Sequence, residues 1–337
     1  MWFGFFRGDC WMSTTLRRPG FTVDPWDPGY AAAVAVEAMA ELEGSSAELD
    51  LEVEVPADQW RPVTPAPGTS VPKVLLVADG VRRIDARVWV DGAPGEMPVA
   101  GIAASYAAGI VRCVPGGDTP ATLAAVEVRR ALFSSAPSAP EAVTPLAVYE
   151  AEQSGDGGLD DLSLALQRRL TELEVILATN YRAESGEDDL LLVDGPLRGR
   201  THLPRTVGYV KTHHTSYLPK PQAAVVPALT TGQRTPVFRM GTSWQRHAWY
   251  VKLPVRSRAP WAGIARCEAG ADLTGPQAAA LADAITLVLP SMAGVDYKDP
   301  RAPQNLVPIG GLEKLLRHRL GDPALLYRAL RAAAAGS

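Results

Sequence analysis

Two short hydrophobic runs constrain the fold of this chain more than any other feature. Residues 74–80 read VLLVADG and residues 190–195 read LLLVDG, so each run ends in aspartate followed by glycine. A short, continuous apolar run of this kind is typical of a strand inside a sheet. Between the runs, leucines recur every three or four residues from Leu162 to Leu177, which is the spacing of an amphipathic helix. This order predicts a mixed α/β sheet rather than a helical bundle.

Other segments extend this plan on both sides. Alternation with a period of two predicts strands in LDLEVEV (residues 49–55) and RIDARVWVDG, and the second should pair with the strand that ends at Asp79. We also predict strands in AAGIVRCV, PLAVYEAE (145–152) and TVGYVKTH, and a hairpin from HAWYVKLPV and WAGIARCEA. The predicted helices, besides the central one, are residues 30–43, TLAAVEVRRALFS, Pro276 to Leu289, GLEKLLRHRL and PALLYRALRAA.

The domain plan follows from these elements. We expect residues 1–25 to be a flexible N-terminal segment. The opening MWFGFFRGDCWM is apolar but lacks the cleavage site of a secretory signal, which argues against a signal peptide. Residues 26–337 should form a single domain, with a catalytic core at about 70–305 and C-terminal helices at 310–335.

Composition narrows the function classes. The chain has 337 residues, of which 47% are hydrophobic and 21% charged, as in an ordinary folded soluble protein, and it has no uninterrupted apolar run of membrane-spanning length. A net charge of −4 gives no global basic field, so any contact with nucleic acid must be local. Cys10, Cys113 and Cys267 form no C-x-x-C pair, which argues against a disulfide framework or zinc site and favours a reducing cytoplasm.

The two Asp-Gly pairs are the first candidates for chemistry. Side chains at the exits of neighbouring strands converge on one side of an open α/β sheet, so Asp79 and Asp194 are expected to meet there. With Glu174 from the intervening helix, they would hold divalent metal ions through carboxylate oxygens. Glu174 borders the leucine face of that helix, whereas Glu172 points toward solvent. The alternative is that each Asp-Gly is only a turn signal.

The segment at residues 198–217 is the densest basic region of the chain. Its cationic or titratable side chains are Arg198, Arg200, Arg205, Lys211, His202, His213 and His214. Such a segment could bind a phosphate backbone, and Tyr209 and Tyr217 could stack on unpaired bases. The alternative is an exposed basic edge strand that resists aggregation.

Several segments, taken in order, resemble the NurA family of nucleases. They are DG, DGPL, VGYVKTH, YVKLP, ARCE and DPRAPQNLVPIGGLE, and the similarity covers roughly residues 70 to 335. The resemblance implies a ribonuclease H-like mixed sheet flanked by helices, with additional N- and C-terminal helices. It also implies a manganese-dependent (Mn²⁺, with Mg²⁺ as the alternative) single-strand endonuclease and 5′ to 3′ exonuclease for DNA repair.

The resemblance also assigns residues by their match to the family's motifs. Asp79, Asp194 and Glu174 would be metal ligands, and Lys211 would stabilise charge on the phosphate during two-metal hydrolysis. Where some family members place a tyrosine and a histidine, this chain offers Tyr297, Asp299 and Asn305, and we take Asp299 as the fourth ligand. The expected nucleic-acid contacts are Arg82, Arg198, Arg200, Arg205, Lys211, His213 and Tyr297.

By the same resemblance, the protein would form a homodimer that docks on a HerA-like hexameric ATPase in DNA end processing. The N-terminal helix and strand or the C-terminal helices are the candidate docking surfaces, and core packing is the alternative for the C-terminal pair. Two other functions stay open: a catalytically weak scaffold that binds DNA and regulates the ATPase, and a different ribonuclease H-like nuclease.

Overall fold

The computed structural model of the chain describes residues 20–23, 48–91, 97–117, 119–155, 158–184, 189–211, 217–241, 244–255, 261–295 and 301–336. The strands are β1 (Phe21–Val23), β2 (Glu48–Asp50), β3 (Val74–Val90), β4 (Val99–Cys113), β5 (Thr122–Ser134), β6 (Ala142–Val143), β7 (Val148–Gln153), β8 (Asp189–Asp194), β9 (Thr206–Val210), β10 (Phe238–Gly241), β11 (Gln245–Lys252) and β12 (Ile264–Gly270). The α-helices are α1 (Leu159–Glu184), α2 (Lys220–Ala223), α3 (Val225–Ala228), α4 (Gly275–Val288), α5 (Val307–Arg319) and α6 (Pro323–Ala335), with short 3₁₀ turns at Ala57–Gln59 and Leu289–Met292.

The strands form one large mixed sheet. Within the described residues its order is β2-β10-β11-β12-β9-β8-β3-β4-β5-β7-β6, with β1 paired to the far end of β3. At its centre β3, β4 and β5 are antiparallel neighbours, and after α1 the chain returns as β8 and β9, which run parallel to β3. The predicted mixed α/β sheet flanked by helices is confirmed.

The prediction of two paired strands around Asp79 and Gly80 is wrong. Both segments belong to the single strand β3, which pairs with β4 without interruption from Leu75 to Ile84. Gly80 lies opposite Ala108 and forms no turn, because β4 continues the hydrogen-bonded ladder past it. The irregularity in β3 comes later, as a bulge between Ile84 and Ala86.

Two further segments differ from prediction. TLAAVEVRRALFS was expected as a helix but forms β5, because it pairs with β4 along its length and with β7 at its end. In LDLEVEV only residues up to Asp50 belong to a strand. The chain then bends, since Glu54 turns inward to form a bidentate ion pair with buried Arg234.

Most of the other predicted helices and strands are present where the structure describes them, although the strand predicted in AAGIVRCV begins at Val99, eight residues earlier than expected. The central helix is α1, the second apolar run is β8, and TVGYVKTH contributes β9. The β11–β12 hairpin pairs Arg246 with Gly270, and the last three helices are α4, α5 and α6. The helix expected at residues 30–43 lies outside the described residues.

Helices cover both faces of the β3–β5 region. The leucines of α1 pack against one face, where Ile102, Ala104 and Phe133 lie. On the other face α5 presents Leu312 and Leu316 to β3 and β4. Polar side chains on both helices can therefore reach the same part of β3. Among the described helices, none combines the length and the hydrophobicity needed to cross a lipid bilayer.

Candidate metal centre

Asp79 and Asp194 lie side by side where β8 ends. The parallel pairing of β3 with β8 runs up to Ala78 opposite Val193, so the two aspartates are the next residues on each strand. β3 continues past this point, whereas β8 stops at Asp194, and the end of β8 leaves a gap in the sheet. The predicted meeting of the two carboxylates is confirmed, although Asp79 sits within a strand rather than at its exit.

A third carboxylate, Glu313, joins them from helix α5. One ligand oxygen from each of Asp79, Asp194 and Glu313 lies within 4.8 Å of the others. The sequence reasoning missed Glu313, which is the last letter of the segment DPRAPQNLVPIGGLE that carries part of the family resemblance. Its position next to buried Leu312 was the one local signal that it borders the core. Asp299, the expected fourth ligand, lies outside the described residues.

Glu174 reaches the same place from the opposite face of the sheet. Its carboxylate forms an ion pair with Arg200, and the two side chains are only 11% and 5% exposed. It passes over Gly80, where an added Cβ would lie 2.2 Å from Glu174 Oε1. An alanine here would displace the ends of the Glu174 and Leu170 side chains, so glycine permits the close approach, and Glu174 lies beside the cluster where it was expected. Glu172, as expected, is exposed.

Basic side chains hold three of the four carboxylates. Lys211 Nζ donates to Asp194 Oδ2 at 2.6 Å and to Asn305 Oδ1 at 3.0 Å. Arg301 donates to both oxygens of Glu313, at 2.9 and 2.6 Å. Asp79 differs, since within the described part of the chain it has no basic partner and its Oδ1 accepts only from the amide of Gly80, at 2.7 Å.

Two carboxylate oxygens in this cluster are buried and accept no hydrogen bond from the part of the chain that the structure describes. They are Asp79 Oδ2 and Asp194 Oδ1, and neither has a donor among the described residues. An unpaired buried carboxylate oxygen is costly, and a cation ligated there removes that cost. The donors are all oxygens from acidic side chains, the type that Mg²⁺ and Mn²⁺ prefer. The residues present therefore fit a hard divalent cation.

The electrostatics of the cluster favour bound protons or cations. Burial raises the pKa of Asp79 well above its ordinary value, and the negative charges of Asp194 and Glu174 raise it further. Burial also raises the pKa of Asp194, while Lys211 opposes the change. The pKa of Glu174 rises to about 7, mainly through burial, although Arg200 pulls it down. A divalent cation would relieve this repulsion and compete with protons.

The cluster opens into a cleft of about 360 Å³. Glu174 and Gln167 of α1 line one wall, and Glu313 and Arg317 of α5 lie on the other side. The remaining lining residues are Asp79, Gly80, Val81, Arg82, Leu170, Thr171, Asp194, Gly195, Pro196 and Arg200. The cleft is open to solvent, so an extended ligand can enter it.

The predicted basic segment contributes less to this cleft than expected. Arg200 is buried against Glu174 and is not a free surface cation, because the loop after β8 folds it under α1. Arg198 and Arg205 are exposed but lie outside the cleft lining. The prediction of base stacking by Tyr209 is wrong, since its ring is fully buried and its hydroxyl donates to the Gln304 carbonyl.

Other predicted contacts fall elsewhere. Tyr217 is half-buried beneath the guanidinium of Arg266. His202 is exposed near Thr179. His213, His214 and Tyr297 lie outside the described residues.

Comparison with known proteins adds no family assignment. No protein-family profile matches this chain, and no curated protein is significantly similar to it.

Proposed function

We propose that this protein is a metal-dependent nuclease with a ribonuclease H-like core. The central order β5-β4-β3-β8-β9 supports that architecture, since three antiparallel strands are followed, through α1, by two strands parallel to the first. The observation that carries the proposal is the cluster of Asp79, Asp194 and Glu313 with its two unpartnered, buried oxygens.

Divalent ions bound at such a cluster would lower the pKa of an attacking water and stabilise the leaving oxygen of a phosphodiester. The protein's own part is to hold the carboxylates in place. Lys211 fixes Oδ2 of Asp194 and leaves Oδ1 facing the site, while Arg200 holds Glu174 above Gly80. Because these side chains are buried and ion-paired, little reorganisation is needed when substrate enters.

The same proposal has four further parts: DNA as the substrate, Mn²⁺ as the preferred ion, a homodimer, and a HerA-like hexameric ATPase as the partner. The resemblance to NurA nucleases is the support for all four, and the open cleft beside the carboxylates supports only the entry of an extended strand. The unpartnered oxygens of the cluster support a divalent ion but do not select manganese over magnesium.

The test compares the purified protein with Asp79→Asn and Glu313→Gln on a labelled single-stranded DNA, with Mn²⁺, Mg²⁺ or EDTA. Asp58→Asn and Glu150→Gln, at exposed positions far from the cluster, are the matched controls. We expect cleavage with Mn²⁺, a loss of at least about 100-fold in both cluster variants, which corresponds to roughly 3 kcal/mol, and no loss in the controls.

Calorimetric titration with Mn²⁺ gives a second measurement. Wild type should bind the ion, and both cluster variants should bind it more weakly. A wild type that binds neither Mn²⁺ nor Mg²⁺ contradicts the proposal. A wild type that binds the ion and DNA but leaves DNA intact, alone and with the ATPase, supports the scaffold function instead. Preference for an RNA strand or a four-way junction would support a different nuclease specificity.

A further inference from the structure

Two arginines in the cleft have no hydrogen-bonding or ionic partner among the described residues. Arg82 of β3 and Arg317 of α5 both line the cleft beside the carboxylate cluster. Neither forms a hydrogen bond or an ion pair with any other residue that the structure describes. The other basic groups near the cluster are already engaged: Arg200 by Glu174, Lys211 by Asp194 and Arg301 by Glu313. Arg82 and Arg317 are therefore the cations of the cleft lining that a ligand can bind.

Arg82 is the more constrained of the two. Its side chain is only partly exposed, and burial lowers the pKa of its guanidinium. A desolvated guanidinium without an acceptor is unfavourable, and it is stabilised when an anion enters. It lies three positions beyond Asp79 along β3, a distance of about 10 Å between backbone positions at the usual rise of a strand.

Arg317 approaches from the other wall of the cleft. It lies one helical turn beyond Glu313, about 6 Å further along the α5 axis, so both side chains lie on the same face of the helix. The end of this helix is anchored to the sheet, because Arg83 and Arg130 donate to the carbonyl of Leu320 at 3.3 and 3.1 Å. The Arg317 guanidinium is therefore presented from a fixed support.

We infer that Arg82 and Arg317 bind phosphates of a DNA strand whose neighbouring phosphate lies at the carboxylate cluster. Guanidinium groups match phosphate oxygens in geometry and charge, and these two stand on separate elements on either side of the cluster. This inference rests on the proposed function. It keeps Arg82, an expected nucleic-acid contact, adds Arg317, and leaves out Arg200 and Lys211, which are ion-paired with carboxylates. It also defines the substrate as a chain with several phosphates rather than a single phosphodiester.

The experiment measures binding of a fluorescent thymidine oligonucleotide by anisotropy, over a range of salt concentrations, with Ca²⁺ in place of Mn²⁺. Proteins are wild type, Arg82→Gln, Arg317→Gln, the double variant and, as a matched control, Arg61→Gln, which changes an exposed arginine outside the cleft. Each phosphate contact to a single strand contributes about 0.7 to the slope of log affinity against log salt.

We expect the slope to fall by about 0.7 in each single variant and about 1.4 in the double variant, with at least a fivefold loss of affinity at low salt. Arg61→Gln should keep the wild-type slope. In a length series from two to eight nucleotides, wild type should gain affinity with each added phosphate near the cluster, and the double variant should lose that gain. Because Arg317 is exposed, Arg317→Gln tests the inference even if Arg82→Gln folds poorly.

Unchanged slopes in both single variants overturn the inference, as does a wild type that does not bind the strand at low salt. The failure of the proposed function is separate. If wild type binds the strand through both arginines but does not cleave it with Mn²⁺ or Mg²⁺, the nuclease proposal fails and the strand-binding cleft stands.

Discussion

Replacing Asp79 by asparagine should make the metal-free protein more stable while removing its response to divalent ions. Asp79 is 8% exposed, and its burial opposes ionisation, as do the charges of Asp194, Glu174 and Glu313, while Lys211 offsets part of this effect. Its Oδ2 has no donor among the described residues. Asparagine has the same shape, carries no charge and can donate to a neighbouring carboxylate. The substitution therefore removes a repulsive charge without leaving a cavity.

The unsatisfied oxygen of Asp79 gives the scale of the effect. A buried acceptor without a hydrogen bond costs about 1–3 kcal/mol, and a charged one costs more. The amide of asparagine must also be desolvated, so we expect a net gain of about 2 kcal/mol. With an unfolding entropy of about 2.1 cal/mol/K per residue, this raises Tm by roughly 3 °C in a chain of 337 residues.

The assay is thermal unfolding followed by circular dichroism in EDTA, at pH 8 and pH 5, with Asp58→Asn as the exposed control. Burial raises the pKa of Asp79, so its cost begins above the ordinary aspartate value of about 4 and grows as the pH rises. The gain in Tm should therefore be larger at pH 8 than at pH 5. Added Mn²⁺ should stabilise wild type and leave Asp79→Asn nearly unchanged.

A variant that is less stable than wild type in EDTA at pH 8 would refute this reasoning. It would mean that Asp79 is stabilised in the metal-free fold by contacts that outweigh repulsion and burial. An equal gain for Asp58→Asn would also refute it, since the gain would then reflect net charge rather than the cluster.

Three further predictions concern the site and its supports. The free energy of unfolding of the metal-free protein, measured in urea titrations, should fall as the pH rises from 5 to 7.5. The raised pKa of Glu174 keeps a proton on the folded state that the unfolded state releases. A flat profile contradicts this prediction. Gly80→Ala should lower the free energy of unfolding by about 1–3 kcal/mol, since the new Cβ would lie 2.2 Å from Glu174 Oε1. Gly311→Ala, with open space at its Cβ, should be neutral or stabilising. Equal effects of the two variants in chemical denaturation would contradict the close approach. Cys113 and Cys267 should resist a thiol reagent at pH 8 until denaturant is added, because both are buried and burial raises the pKa of Cys113 to about 11; peptide mapping that finds either modified in the folded protein would contradict their burial.

The local sequence pattern was sufficient to predict the strand–helix–strand unit at the centre of the site. The leucine spacing of α1 and the apolar run of β8 give each element one stable way to bury its hydrophobic side chains. The same patterns placed Asp194 at the end of a strand and Glu174 at the edge of a buried face. These features depend on near neighbours in sequence, and they appear in the structure as predicted.

Strand pairing across long sequence separations decided the structure of the segments that the local sequence pattern predicted wrongly. The segment TLAAVEVRRALFS contains good helix formers, and it becomes β5 because β4 offers a long edge to pair with. The same neighbour carries β3 through Gly80, so Asp79 does not stand at a turn. Local propensities are weak compared with a continuous hydrogen-bonded ladder and the burial that it brings.

The sequence by itself determined that an α/β sheet forms and that two of its apolar strands carry an aspartate, since hydrophobic periodicity fixes which faces are buried. The two aspartates meet because β3 and β8 pair in parallel, which the tertiary structure decided. Only the tertiary structure decided that Glu313 completes the cluster, that Arg200 is sequestered by Glu174, and that Arg82 and Arg317 remain available to a ligand. The physical reason is distance along the chain. Glu313 reaches Asp79 because α5 packs its leucines on the face of the sheet opposite to α1. No local sequence pattern predicts such a contact.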